Sequence, residues 1–149
     1  MQMNKNKFNI NEDKAKRTLD GIVFDSAIEM RYYQEVVKPC MEKGEIIDCE
    51  RQKKYILQPA FKKDGKKILP IEYKADFYIK YSNGNERVID IKGFADAQAK
   101  IKRKMFWFVY PDISYEWVSW SKIDGGWTTY DYVQKQRAER RKNKKETKE

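Results

Sequence analysis

A short apolar run that carries one acid and one lysine constrains the fold of this chain more than any other feature. Residues 88–93 read Val-Ile-Asp-Ile-Lys-Gly and follow the turn sequence Ser-Asn-Gly-Asn at residues 82–85. A β-branched run behind such a turn predicts the return strand of a hairpin. Because side chains alternate along a strand, Asp90 and Lys92 are expected on one face. Strand packing alone gives no reason to place a carboxylate and an ammonium there.

The remaining sequence predicts a mixed α/β fold, with helices flanking a mostly antiparallel central sheet. The first half contains a predicted helix from Ser26 to Lys43 with a break or kink near Pro39, an extended segment from Ile46 to Gln58, a turn at Asp64-Gly65 and a strand ending near Tyr81. The second half contains the return strand from Arg87 to Lys92, a helix capped by Asp96 that runs to about Val109, a strand from Tyr115 to Trp120 and a short extended segment at residues 127–130.

Length and charge indicate one domain with a basic extension. We expect a flexible segment at residues 1–19, a domain at residues 20–134 and a basic tail at residues 135–149, within a chain of 149 residues. The net charge is +9, and the tail holds eight basic and three acidic residues. Such an excess favours a polyanionic partner such as nucleic acid. The tail is expected to stay disordered, or to form a loose helix, until it meets phosphate. A merely solubilising tail is the alternative.

Several classes of protein are excluded by composition. The chain contains no histidine, which excludes His-metal nucleases, HUH nickases, zinc fingers with histidine ligands and Ser-His-Asp hydrolases. Cys40 and Cys49 lack metal-site spacing and read as reduced thiols. No apolar stretch of about 18 residues and no signal-peptide pattern is present, so we expect no membrane partner and a cytoplasmic location, the host cytoplasm for a phage protein.

Three acids and one lysine are the candidate site residues. Glu29 lies on or beside the apolar stripe of the first predicted helix, Asp76 lies in the long strand, and Asp90 and Lys92 lie in the return strand. Carboxylates hold Mg²⁺ or Mn²⁺ through hard oxygens, and a lysine can steady an attacking water or a phosphate. This residue set is typical of metal-dependent phosphodiester cleavage.

The order of these residues resembles the PD-(D/E)xK, or restriction-endonuclease-like, nucleases over roughly residues 20–120. It looks especially like small phage- and prophage-borne domains linked to junction-resolving endonucleases. The resemblance implies that Glu29 is the first-helix glutamate, that Asp76 and Asp90 bind the metal with the Ile91 carbonyl, and that Lys92 is the catalytic lysine. Two positions depart from the family pattern, because Ala75 replaces the proline and Asp90 replaces the glutamate.

The hairpin allows a geometric test of this hypothesis. A two-residue turn at Asn83-Gly84 would place Asp76 and Asp90 on opposite faces of the sheet. A three-residue loop at residues 83–85 would instead pair Ser82 with Glu86, Tyr78 with Asp90 and Asp76 with Lys92. The nuclease hypothesis therefore predicts an odd-length loop or a bulge, with Gly84 or Asn85 at positive φ.

Basic residues on two elements are candidate DNA contacts. Helical spacing predicts a basic stripe on one face of the second helix, opposite Ala97, Ile101 and Phe108. The first long strand adds further basic residues. The predicted DNA-binding residues are Lys100, Arg103, Lys104, Trp107, Arg51 and Lys53. No base-reading module is recognisable, so cleavage selective for DNA structure fits better than cleavage selective for sequence.

Each site residue also has a structural alternative. Glu29 could complete a capping box with Ser26, Asp76 could face solvent, and Asp90 with Lys92 could form an ordinary exposed ion pair. The basic helix face could simply be solvated. The favoured function is a metal-dependent endonuclease for branched DNA such as a Holliday junction, acting as a homodimer because two matched cuts are needed. The alternatives are a nicking or transposon-end nuclease, and a non-catalytic DNA-binding or assembly protein.

Overall fold

The computed structural model describes residues 13–148. Most of the predicted flexible segment at residues 1–19 lies outside the described residues. Within it, Lys14–Arg17 forms a short 3₁₀ turn. The strands are β1 (Thr18–Leu19), β2 (Ile22–Val23), β3 (Ile46–Gln58), β4 (Phe61–Lys63), β5 (Lys66–Ile68), β6 (Ile71–Tyr81), β7 (Glu86–Ile91), β8 (Ser114–Ser121) and β9 (Gly126–Thr129). The helices are α1 (Ala27–Tyr32), α2 (Lys38–Glu42), α3 (Ala97–Val109) and α4 (Tyr130–Glu146).

A five-stranded sheet with the order β3-β6-β7-β8-β9 forms the centre of the fold. Of its neighbouring pairs, β7 and β8 run parallel and the others antiparallel. The parallel pair is connected through α3, because a parallel connection needs a crossover that a tight turn cannot provide. The predicted mixed α/β class with a mostly antiparallel central sheet and flanking helices is therefore confirmed. Within residues 13–148 no helix is long and apolar enough to cross a membrane.

The first helical segment is interrupted in the middle. Ser26 caps α1 by accepting a hydrogen bond from the Glu29 N–H at 3.2 Å. A π-helical turn, Tyr33–Val37, then separates α1 from α2. Pro39 has no N–H to continue the helical ladder, and the wider turn accommodates that loss. The predicted break near Pro39 is thus a π-helical turn just before it.

The turn between β6 and β7 has three residues, as predicted, but a different register. Phe77 pairs with Ile89 and Lys80 with Glu86. Beyond the ladder the Tyr81 N–H donates to the Asn85 carbonyl at 2.8 Å, so Tyr81 and Asn85 close a loop of three residues, 82–84. Gly84 has the predicted positive φ, +89°. The predicted pairs of Ser82 with Glu86, Tyr78 with Asp90 and Asp76 with Lys92 are wrong by two positions. The physical reason is that the Ser82 N–H bonds to the Glu45 carbonyl instead of joining the ladder.

Both faces of the sheet are covered by apolar side chains. One face packs under α3 in a cluster of aromatic rings, in which the Phe106 and Tyr115 ring centroids lie 4.5 Å apart. The other face packs under α1 and the π-helical turn, around Phe24, Phe77 and Ile89. The sheet is thus a rigid platform on which the polar residues of β6 and β7 are held.

Candidate active site

Asp76 and Asp90 face each other where β6 and β7 separate. The regular ladder between these strands ends at the pair of Phe77 and Ile89. One residue further, the Asp76 N–H donates to Asp90 Oδ1 at 3.1 Å, and the Ile91 N–H donates to Asp76 Oδ2 at 2.9 Å. Each carboxylate therefore replaces a ladder carbonyl of the neighbouring strand. This exchange fixes both side chains on one side of the fork.

Lys92 completes the arrangement. Its Nζ lies 3.3 Å from Asp90 Oδ2, and the Asp90 side chain is only 3% exposed. The Lys92 ammonium also lies 5.4 Å from the centre of the Trp117 ring. The alternative of an ordinary exposed ion pair is wrong, because Asp90 is buried. The sequence prediction that Asp76, Asp90 and Lys92 share a face holds despite the shifted register.

Glu29 is a buried acid beside this fork. Burial is the main cause that raises its pKa to about 7, and the Asp25 and Asp90 carboxylates raise it further, whereas Ser26 and Arg51 lower it. The guanidinium of Arg51 lies 4.0 Å from Glu29 Oε2, but that oxygen accepts no hydrogen bond among the described residues. Ser26 caps the helix through the Glu29 N–H. Glu29 therefore takes part in the cap and also lies beside the fork.

The Asp76 carboxyl is destabilised as an anion. Burial, and then the charges of Asp90 and Glu29, raise its pKa well above the ordinary value. The Ile91 N–H and the Lys92 ammonium oppose that rise. Asp76 is half-buried rather than fully exposed, so the solvent-facing alternative is wrong. Three acids thus repel one another in a poorly solvated place, and the cations of Lys92 and Arg51 offset only two of the three charges.

A hydrogen-bonded pair of tyrosines behind Asp90 was not anticipated from the sequence. The Tyr115 hydroxyl lies 2.9 Å from the Tyr73 hydroxyl and 3.5 Å from Asp90 Oδ2, and it accepts a 2.7 Å bond from Trp117 Nε1. Burial, together with the Asp90 charge, raises the pKa of both tyrosines. They stay protonated and can orient the Asp90 carboxylate. The alternating pattern of the strands that contain Tyr73 and Tyr115 is visible in the sequence, but this pattern predicts only that the two side chains are buried.

Gln52 is a second residue that sequence reasoning missed. It lies between Arg51, which pairs with Phe77, and Lys53, which pairs with Ala75, so it stands opposite Asp76. Its backbone is left-handed, with φ +57°, a conformation that costs a non-glycine residue about 1–2 kcal/mol. Its buried Nε2 has no hydrogen-bond partner among the described residues. Strain and an unpaired amide beside the acids are consistent with a functional role.

The predicted DNA contacts of α3 fall into two groups. Arg103 bonds twice to Asp131 at 3.1 Å and stacks 3.9 Å above the Trp117 ring. Trp107 donates to the Tyr115 carbonyl at 3.4 Å. Both side chains therefore hold α3 against the sheet and α4. Lys100 and Lys104 are exposed, so they remain the candidate contacts on this helix.

The side of α3 predicted to lie opposite the basic residues is not its buried side. Ile101 and Phe108 are 59% and 87% exposed, whereas Phe106 is fully buried. Ala97 is exposed as well. The physical reason is that the aromatic cluster under α3 takes up Phe106, whose ring lies 5.0 Å from that of Tyr110. Ala97, Ile101 and Phe108, predicted to lie opposite the basic residues, are instead exposed like Lys100 and Lys104.

The two predicted contacts on β3 lie close to the fork. Arg51 packs 4.2 Å above the Phe24 ring and donates to the Val23 carbonyl at 3.3 Å. Lys53 Nζ lies 3.9 Å from the centre of the Tyr78 ring. Both side chains have aromatic partners, so each is positioned rather than loosely solvated.

The fork has donors suited to a hard divalent cation. Asp76 and Asp90 offer oxygens from facing strands, and Ile91 follows Asp90 directly. Glu29, whose buried Oε2 has no hydrogen-bond partner among the described residues, acts electrostatically on both aspartates. Between residues 13 and 148, however, no three Asp, Glu or Cys side chains already form a ligand set. The donor set therefore fits a cation through two aspartates and a carbonyl, with Glu29 outside the first ligands.

A cavity adjoins the fork on the Lys92 side. It has a volume of about 220 Å³ and lies between α1, the ends of β7 and β8, and α4. Its lining includes Lys92, Gly93, Trp120 and Arg137 of α4. A substrate group placed there would lie beside Lys92.

These observations define a mixed α/β protein with an acid-and-lysine cluster at a strand fork. The chain belongs to DUF1064, a family described as "Protein of unknown function", whose model matches residues 7–124. No match was found among the curated proteins or among the solved structures. The matched segment includes the whole acid-and-lysine cluster and ends before α4.

Proposed function

We propose that this protein is a metal-dependent DNA endonuclease that cuts branched DNA, such as a Holliday junction, by phosphodiester hydrolysis. One observation carries the proposal. The Asp76 N–H donates to the Asp90 carboxylate and the Ile91 N–H donates to the Asp76 carboxylate, and Lys92 Nζ lies 3.3 Å from Asp90 Oδ2. A strand pair that only needed stability would not bury two facing carboxylates, because desolvating them is costly. The same arrangement of Asp76, Asp90 and Lys92 supports the proposed relationship to the PD-(D/E)xK nucleases.

The metal in this proposal is Mg²⁺ or Mn²⁺. Asp76, Asp90 and the Ile91 carbonyl would hold it, and Glu29 would assist a second ion or an ordered water. When bound, such an ion supplies Lewis-acid stabilisation of phosphate charge and lowers the pKa of water. The raised pKa values of Glu29 and Asp76 support this assignment, since positive charge would favour their ionised forms.

Lys92 is the residue assigned to the reacting water. Its ammonium is held by Asp90 on one side, and its backbone N–H bonds to the Val118 carbonyl at 2.8 Å. The side chain is 15% exposed, and Lys92 lines the adjoining cavity. It would orient the water for in-line attack on phosphorus, and its positive charge would help deprotonation by stabilising the hydroxide while the proton passes to solvent.

The substrate assignment depends on charge and on the absence of a base-reading element. A net charge of +9 favours nucleic acid, and Lys100 and Lys104 are exposed on α3. Arg51 and Lys53 flank the fork. Cutting a symmetrical junction requires two matched active sites, so a homodimer is part of the proposal. A cytoplasmic location is proposed because the substrate is DNA.

A non-catalytic DNA-binding or assembly protein is the second candidate. It is favoured by the absence, between residues 13 and 148, of a ready-made set of three acidic or cysteine ligands. A nicking or transposon-end nuclease would use the same fork on a different DNA structure. Measuring DNA binding and DNA cleavage separately distinguishes these functions.

The test is Asp90→Asn on a labelled four-way junction, a linear duplex and a single strand, each with Mg²⁺, Mn²⁺ or EDTA. We expect metal-dependent cutting by the wild type and a loss greater than roughly 100-fold in the variant, since even outer partners of a metal contribute 10–100-fold. DNA binding should be retained or strengthened, because one repelling charge is removed. Asp112→Asn, at an exposed turn residue, is the control. Equal loss of binding and cutting would contradict a catalytic role.

A further inference from the structure

The C-terminal helix α4 is fixed to the domain at its start and extends beyond it. The Thr129 hydroxyl caps the helix by accepting from the Tyr132 N–H at 3.3 Å. Tyr130 and Val133 are buried. Arg140 donates to Asp124 at 2.7 and 3.2 Å, which ties the helix to the turn between β8 and β9. The predicted tail at residues 135–149 is thus a continuation of an anchored helix as far as Glu146.

The face of α4 that packs against the domain becomes basic as it leaves the domain. Arg137, Arg141 and Lys144 follow Tyr130 and Val133 at helical spacing, so all five lie on one side of the helix. Arg137 lines the cavity that also contains Lys92. A shallow groove further along is lined by Arg137, Arg141 and Lys144 together.

Acidic residues of α4 lie away from the basic stripe that Arg137, Arg141 and Lys144 form on this helix. Glu139 and Glu146 project from the opposite side of the helix, and Asp131 bonds to Arg103 of α3. The positive charge on the stripe is therefore not neutralised by its own helix. Helical rise places Arg137 and Lys144 roughly 10 Å apart along the axis, so the stripe has the length of an extended phosphodiester segment rather than of a single anion.

We infer that α4 is a DNA-binding arm that holds the phosphodiester backbone of the substrate strand as it leaves the fork. Arg137 contacts the phosphate nearest the Lys92 cavity, and Arg141 and Lys144 contact phosphates further out. The inference rests on the proposed function, because DNA is assigned as the partner of the stripe on the ground that Arg137 also lines the cavity at Lys92. The family model ends at residue 124, so the arm is an addition to the segment that the family model covers.

Matched charge variants on the two sides of α4 test the inference. Arg141→Gln/Lys144→Gln removes two charges from the stripe, and Lys135→Gln/Lys142→Gln removes two from the opposite side. Arg137→Gln tests the residue at the cavity. Affinity for a labelled four-way junction is measured in EDTA, which prevents cutting, at 50 to 200 mM salt. Circular dichroism confirms that each variant is folded.

The stripe double variant should bind on the order of tenfold more weakly at about 0.1 M salt. Its log–log salt slope should fall by about 1.8, because each phosphate contact on duplex DNA contributes about 0.9. The opposite-side double variant should keep the wild-type slope. Equal slopes in the two double variants would overturn the arm, as would a wild type that binds no DNA. Retained slope differences without any metal-dependent cutting would support the arm and refute only the endonuclease.

Discussion

The buried Glu29 makes the stability of this protein depend on pH in a defined direction. Its pKa is raised from 4.5 to about 7 in the folded state, chiefly by burial. Between these two values the folded protein binds more protons than the unfolded chain, so the free energy of unfolding falls as the pH rises. The side chain is 7% exposed, so screening by solvent is limited. The shift corresponds to about 3 kcal/mol, fully expressed near pH 8.

Glu29→Gln removes the ionisation while keeping the shape of the side chain. We expect the difference in free energy of unfolding, variant minus wild type, to increase by about 3 kcal/mol between pH 4.5 and pH 8. The lost repulsion on Asp76 acts in the same direction, because Glu29 raises the pKa of that carboxyl. Urea unfolding in EDTA, followed by tryptophan fluorescence at both pH values, measures the difference.

Glu42→Gln is the matched control, since Glu42 is exposed on α2 of the same helical segment. Its stability should parallel that of the wild type across the range. A Glu29→Gln difference that is constant with pH would refute the reasoning, because it would mean that Glu29 is not held in a proton-favouring environment. A difference that shrinks toward pH 8 would mean that the fold lowers the pKa of Glu29 instead of raising it.

Three further variants test individual contacts. Tyr115→Phe removes a buried hydroxyl that touches Asp90, and it should lower the free energy of unfolding by about 1–3 kcal/mol in urea titrations. Gln52→Gly should raise it by about 1 kcal/mol, because φ +57° suits glycine, while cleavage falls if the amide contacts substrate. Gly126→Ala places a Cβ 3.0 Å from the Trp120 ring at φ +101°, so calorimetry should show a lower Tm, with a loss of about 1–3 kcal/mol. An unchanged Tm in Gly126→Ala would contradict the described packing.

The elements with strong local signals were predictable from the sequence. Asp64 and Gly65 have φ values of +50° and +75°, as the Asp-Gly turn signal indicated. The strand Ile46–Gln58 and the Asp96 cap of α3 are where they were predicted. These features depend on neighbouring residues alone.

Features that depend on distant partners were not predictable. The hairpin shifted by two positions because Ser82 bonds to Glu45, which a hairpin pattern does not include. The face of α3 was misjudged because the helix carries apolar residues on two sides, and only the aromatic cluster of the sheet selects Phe106. An even shift of register preserves the face of a strand, so the predicted grouping of Asp76 and Asp90 survived.

Direct measurement of metal binding tests the central claim most simply. Titrating Mn²⁺ into the protein by calorimetry at pH 8, without DNA, should show saturable binding. The binding should be abolished in Asp76→Asn and Asp90→Asn and retained in the exposed-residue variant Asp112→Asn. Wild-type protein that takes up no Mn²⁺ or Mg²⁺, with or without a DNA junction present, would contradict the account and leave a DNA-binding protein without a catalytic metal.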